Sequence, residues 1–276
     1  MSARVCATIE ARMSSTRLPG KVLLEAAGKP MLEHMIERVR RAPSIEGIIV
    51  ATTVNPGDDP IVELAHRLGV DSYRGSEDDV MSRVLGAAQT HGADVIVELT
   101  GDCPVIDPVL IERVIEEYTA TGADYCSNVL TRSYPIGMDT QVFGTRVLAD
   151  ALGRTDDPVD REHVSLFIYH HPERYRLHNV LAEPRHFHPD LRLTLDTPED
   201  LRMLRAVFDE LLPEQPNFGL DDILDLMQRR GDLQVINSHV AHDVERAAEG
   251  GVATLAFLAP VVDPPKRLPR DIAVLD

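Results

Sequence analysis

The chain has 276 residues and a formal net charge of −17, with 43% apolar and 26% charged residues. That length is ample for a sizeable core, the composition excludes a wholly disordered chain, and the acidity argues against nucleic acid as a partner, because phosphodiester binding needs a basic face. No apolar run reaches the roughly 18 to 20 residues of a membrane span. Three scattered cysteines without a CxxC (Cys6, Cys103, Cys126) predict neither a disulfide framework nor a cysteine zinc site. Glu10, Arg12 and Arg17 interrupt anything of signal-peptide form, so the expectation is a reduced, cytoplasmic protein.

The elements follow in order. Val5 to Ile9 reads as a buried strand, then a loop, then a helix from about Pro30 to Arg41 with proline at its first turn. Ile48 to Thr53 is a strand, and Asp59 to Leu68 a helix stopped by Gly69. Val70 to Tyr73 is a short strand, and Asp78 to Thr90 a helix with Asp78 or Asp79 as cap. Asp94 to Leu99 is a fully buried strand, and Asp107 to Thr121 a helix ending before Gly122. Beyond it the pattern loosens. Tyr125 and Gln141 to Phe143 read as strands, Val147 to Leu152 and Arg161 to His170 as helices, and Leu191 to Leu195 as an alternating strand. Helices follow at Pro198 to Leu212 and Asp221 to Arg229. The end, with Pro260, Pro264, Pro265 and Pro269, reads as a flexible or loosely docked tail.

Alternating strands and helices predict an α/β fold, a mostly parallel sheet flanked by helices, with ligand loops at the carboxyl ends of the strands. One domain over residues 1–232 is expected, with a less regular insertion near 125–190 and a C-terminal extension, 233–276, of unknown role.

Chemistry concentrates in Ala11 to Lys21, directly after the first strand. Arg12, Arg17 and Lys21 lie there with Ser14, Ser15 and Thr16, a composition suited to phosphate oxygens. Pro19-Gly20 allows a turn that brings Lys21 back toward Arg12. Residues 1–41 hold eight Lys/Arg and four Asp/Glu, a basic start on an acidic protein that suits a small anionic ligand. Neither a Walker A motif nor G-x-G-x-x-G is present, which weakens P-loop kinase and dinucleotide-oxidoreductase readings. Asp102 by itself reads as a turn residue, and Asp196 as a cap for the helix at Pro198. Six histidines fall between His163 and His188, including His186-x-His188, but their spacing does not favour zinc.

The run Ala11-Arg12-x-x-Ser15-x-Arg17-Leu18-Pro19-Gly20-Lys21-x-Leu23 resembles the opening motif of cytidylyltransferases that make CMP-activated acidic sugars. The likeness is strongest to the spore coat polysaccharide synthesis protein F group, and weaker to CMP-KDO synthetase and acylneuraminate cytidylyltransferase. It extends through Arg74 to Val80, Thr100 to Pro104, Tyr134-Pro135, Arg161 to Val164 and Leu195 to Leu201, covering roughly residues 4–212. The resemblance implies a Rossmann-like, glycosyltransferase-A type fold, CTP as donor, Mg²⁺ as cofactor, an acidic sugar or related acceptor and a homodimer. It places catalytic phosphate contacts on Arg12 and Lys21, and the metal on Asp102 and Asp196. Nucleotide contacts fall on Ile9, Glu10, Ala11, Ser15, Arg17, Asp79, Arg83 and Thr100, with the backbone near Ile9 to Ala11 reading the base. The acceptor contacts are Arg161, Glu162 and His163. Glu98 departs from the pattern, since the group tends to carry a basic residue there. The alternatives are a nucleotidyltransferase acting on a sugar 1-phosphate or phosphonate, a glycosyltransferase, and a non-catalytic nucleotide-binding protein.

Overall fold

The computed structural model describes residues 3–240; the proline-rich tail and most of the expected extension lie outside the described residues. Strand β1 (Val5–Glu10) leads through the cationic loop to a two-residue hairpin, β2 (Glu25–Ala26) and β3 (Lys29–Pro30), and to helix α1 (Met31–Val39). Then come β4 (Gly47–Thr53), α2 (Asp59–Leu68), β5 (Asp71–Gly75), α3 (Val80–Thr90), β6 (Val95–Thr100) and α4 (Pro108–Thr121). The second half supplies β7 (Tyr125–Ser127), β8 (Gln141–Gly144), α5 (Thr145–Leu152), α6 (Pro158–Glu162), α7 (Leu166–His170) and β9 (Leu177–Asn179). Helices α8 (Pro198–Leu211), α9 (Leu220–Arg229) and α10 (Gly231–Val235) follow.

Seven strands form one sheet in the order β5-β4-β1-β6-β8-β7-β9. All run parallel except β8, which pairs antiparallel with both its neighbours. The chain winds outward from β1 through β4 to β5, then crosses back to β6 on the other side. The carboxyl ends of β1 and β6 therefore flank the switch point of the sheet, where a crevice opens. The central strands β1, β4 and β6 are buried on both faces, so their side chains alternate between two cores. Ala7 and Ile9 face α1, α2, α4 and α8; Cys6, with Ile49, Ala51 and Ile96, faces α3, α5 and α7.

Local chemistry explains the boundaries. Asp79 accepts from Ser82 N–H at 2.9 Å and Asp107 from Val109 N–H at 2.8 Å, each satisfying an orphan donor of a first turn. Gly69 and Gly122 end α2 and α4 at φ of 65° and 60°, a left-handed conformation that costs glycine nothing. Pro30 precedes α1 as its N-cap and does not sit inside the first turn.

Two expectations fail. Arg161 to His170 is not one helix: Val164, at φ 49°, breaks it into α6 and α7. A β-branched residue there is strained and is held by its surroundings. Leu191 to Leu195 is extended, but its hydrogen bonds go to loops: Leu193 N–H to Ile136 at 2.7 Å and Leu195 N–H to Asp102 at 2.8 Å. Only the isolated bridge Ile136–Arg192 marks it as β-like. Gly137 makes that contact possible, since a Cβ there would lie 2.7 Å from the Leu193 backbone.

Candidate active site

The loop after β1 is pinned before it is charged. Met13 N–H donates to Asp58 Oδ1 at 2.7 Å, and the buried Asp58 also accepts from Thr53 N–H. Ser14 donates to Glu77, which pairs with Arg12 at 3.6 Å. Gly20 N–H closes on Met13 O at 3.0 Å with φ at 68°, so Pro19-Gly20 does turn the chain and returns Lys21 to the sheet.

Lys21 Nζ there lies 3.0 Å from Asp102 Oδ2 and 2.7 Å from Asp196 Oδ1. Arg17 reaches Asp196 Oδ2 at 3.3 Å, and Arg192 reaches the same oxygen at 2.9 Å. The two aspartates come from distant loops sewn together by backbone. Asp102 O accepts from Leu195 N–H at 2.8 Å and from Thr194 Oγ1 at 3.1 Å. Gly101 N–H donates to Glu10 O at 2.8 Å, so close that an added Cβ would lie 2.6 Å from that oxygen. Asp196 does not cap α8. Thr197 and Asp200 form the capping box, which leaves the Asp196 carboxylate for the cavity.

Burial is the largest influence on Asp102 and would raise its pKa, but the Lys21 charge together with hydrogen bonds from Thr100, Lys21 and its own backbone brings it down from 3.8 to about 2. For Lys21, burial opposes the charge and the two aspartates more than restore it, so its pKa is raised. A depressed carboxylate contributes stability above its unfolded value and loses it as pH falls from 3.8 toward about 2. Lys21→Met removes the compensating charge and leaves burial opposed only by the hydrogen bonds from Thr100 and the backbone. Its acid-unfolding midpoint is expected to move up by about one pH unit relative to wild type, read by circular dichroism across an acid titration; coincident curves would contradict this assignment.

These groups line a cavity of 590 Å³ at the switch point, with Glu10, Ala11, Arg12, Ser14, Ser15, Thr16, Arg17, Arg83, Thr100, Glu162 and His163 also in its wall. A second cavity of 450 Å³ shares Glu10, Thr100, Glu162 and His163 with it and extends over β6, β8 and β7.

Other expected residues sit elsewhere. Ile9 is fully buried in the core. The backbone expected to read a base is engaged within the fold: Ala11 N–H donates to Ala51 O at 3.3 Å, and Glu10 O accepts from Gly101. Asp79 and Arg83 do not pair with each other. Asp79 binds Arg161 at 2.9 Å, and Arg83 turns to the carbonyls of Ser76 and Glu77. Arg161, read from sequence as an acceptor contact, places its guanidinium on Asp79, Asp156 and the carbonyls of Thr155 and Leu152, and lines neither cavity. It braces α6 against α3, which aims the adjacent Glu162 and His163. His186 pairs with Asp221 at 2.8 Å, and no group of three His, Cys, Asp or Glu suited to a metal occurs among the described residues.

Sequence reading missed Arg192, Arg132, Gln141, Ser165 and Tyr169, and gave Glu98 no role. Glu98 carried a signal, since a carboxylate inside a buried apolar strand is out of place. It is 4% exposed, and burial pushes its pKa up to about 8. Glu10, beside it, is raised by burial and then by Glu98.

A mostly parallel sheet with a polar, cation-rich crevice at its switch point is the architecture of the nucleotide-diphospho-sugar transferase fold. A model of the family described as cytidylyltransferase matches residues 6–238. The chain is 32% identical over 230 residues to the spore coat polysaccharide biosynthesis protein SpsF of Bacillus subtilis, covering 81% of this chain and 94% of that one. It is 38% identical over 117 residues to a 3-deoxy-manno-octulosonate cytidylyltransferase of Trichlorobacter lovleyi, covering 42% of this chain and 45% of that one. A cytidylyltransferase structure from Leptospira borgpetersenii superposes with a TM-score of 0.81 at 30% identity, covering 87% of this chain and all of the other. The chain belongs to the cytidylyltransferase family, and is thus a CTP-dependent nucleotidyltransferase. No helix among the described residues is long and apolar enough to cross a membrane.

Proposed function

We propose that this protein transfers CMP from CTP to a hydroxyl of a small acceptor, in polysaccharide or glycoconjugate synthesis. The observation that carries this reading is the convergence of Lys21, Arg17, Asp102 and Asp196 in one cavity that Arg12 also lines. The acceptor oxygen bonds to the α-phosphorus, the bond from that phosphorus to the bridging oxygen breaks, and pyrophosphate leaves with the electron pair. The acceptor gives up one proton. Charge builds on the leaving pyrophosphate, so fixed cations stabilise the transition state more than the bound triphosphate. Arg12, Arg17 and Lys21 supply them. Glu162 and His163 line both cavities and are placed to receive the acceptor proton.

Two hard carboxylate oxygens that already converge on one cation, Lys21 Nζ, fit Mg²⁺, which takes one or two carboxylates and completes its shell with phosphate and water. Asp102 and Asp196 would hold it, and when bound it neutralises phosphate charge. The B. subtilis relative supports the biosynthetic setting. The acidic sugar implied by resemblance meets only one guanidinium in the second cavity, that of Arg132.

Pyrophosphate release over a matrix of nucleoside triphosphates and acceptors, with and without Mg²⁺, tests the reading. Release with CTP and Mg²⁺, and CMP recovered on an acceptor oxygen, is expected. No release with CTP over a broad panel, or transfer only to a sugar 1-phosphate, would overturn it.

A further inference from the structure

The second cavity is acidic, whereas the cations and carboxylates lining the first are equal in number. Among the described residues, Glu10, Glu98, Asp139, Glu162 and Asp190 line it against a single guanidinium, Arg132, and no lysine. Asp139 chelates Arg132 through two hydrogen bonds of 2.9 and 3.0 Å, so that cation is already matched. Glu98 is more than nine-tenths buried and lines the cavity; Ser165 hydrogen-bonds to its carboxyl group, but its Oε2 has no partner among the described residues. Glu10 Oε1 is also buried without a partner. The parallel register sets Thr8 opposite Glu98 and Glu10 opposite Thr100, so both glutamates rise from the same face of adjacent strands.

Unpartnered buried carboxylate oxygens are costly unless a donor or a cation meets them. Burial raises both glutamates above the usual carboxylate range; an ammonium beside them would favour their ionised forms, whereas an anionic acceptor would oppose it. Val129, Leu130, Ile136 and Tyr169 give the same cavity apolar walls for a carbon skeleton.

Resting on the reading above, we propose that the acceptor of CMP is a small hydroxylated molecule bearing a protonated amine, and that the ammonium seats between Glu98 and Glu10. The amine is the recognition handle. The hydroxyl that takes CMP points toward Thr100 and the first cavity. A carboxylate offers those glutamates no counter-charge.

Binding without nucleotide tests the class of ligand directly. Glucosamine, N-acetylglucosamine, glucose and glucuronic acid are titrated by calorimetry and saturation-transfer NMR, and CTP with Mg²⁺ is titrated separately. Glucosamine is expected to bind about tenfold more tightly than its N-acetyl form or glucose, with glucuronic acid weakest. Glu98→Gln, nearly isosteric, is expected to erase that preference, its melting curve verifying the fold; if it does not fold, the wild-type ranking alone decides. Equal binding of glucosamine and glucose, or preference for glucuronic acid, would overturn the proposal. CTP binding without amine preference sinks this proposal alone, whereas amine preference without CTP binding sinks the donor reading alone.

Discussion

Lys21→Ala is expected to lower turnover by about 10² to 10³, the loss typical of removing one charge-stabilising donor. The size follows from the position of the ammonium. It sits in a partly buried cavity between two carboxylates, where charge is poorly screened, and it is held there before any ligand arrives. A preformed cation needs no reorganisation when charge develops on departing pyrophosphate. Lys21→Arg retains the charge but not the compact ammonium, and should recover only part of the rate. The check is steady-state pyrophosphate release together with CTP affinity. If the rate falls and affinity is nearly kept, Lys21 acts on the transition state; near-wild-type turnover in the alanine variant would remove it from that role.

The largest stability effect is expected at Asp200. Its carboxylate is fully buried, grips Arg192 at 2.9 and 3.1 Å, accepts from Asn237 at 2.9 Å and closes the capping box of α8. Burial opposes its ionisation most, but hydrogen bonds from Arg192, Asn237 and the Asp196 backbone, with the Arg192 charge, together lower its pKa. Asp200→Ala leaves a guanidinium 4% exposed with its buried partner gone. Breaking one side of such a pair costs about 3 to 5 kcal/mol, measured here by urea unfolding. A loss below about 1 kcal/mol would place the pair among the many ion pairs that contribute little. Activity should fall too, because Arg192 also holds Asp196 at 2.9 Å.

The fold was legible where local chemistry decides it. Gly69, Gly122 and Asp107 announce the ends and starts of α2 and α4, and the run from Val95 reads as a buried strand. The rest depends on tertiary partners. Val164 breaks a helix with a conformation no side chain advertises, and β9 is a three-residue edge held by pairing with β7. Leu191 to Leu195 has strand periodicity, yet its partners are loops. At the site, Arg12 and Lys21 stand out because their motif is local and chemically dense, whereas Asp102 and Asp196, 81 and 175 positions from Lys21, read alone as a turn residue and a cap and drew notice only through the family resemblance. Arg192 does not stand out: flanked by leucines it reads as the solvent side of a strand, and only Asp200, eight positions away, explains its burial. Asp79 and Arg161 misled for the same reason, since their charge serves a brace between α3 and α6.

Lys21 and its nearer carboxylate, that of Asp196, are 175 positions apart in the chain. During synthesis the lysine is therefore made long before its counter-ion, and the first half of the sheet must exist without a competent site. Closing so wide a span costs little more than closing half of it, because loop entropy grows only with the logarithm of length, but it delays the event. Catalytic competence thus comes late in the life of the nascent polypeptide, and a chain interrupted before Asp196 would emerge with Lys21 answered by Asp102 alone.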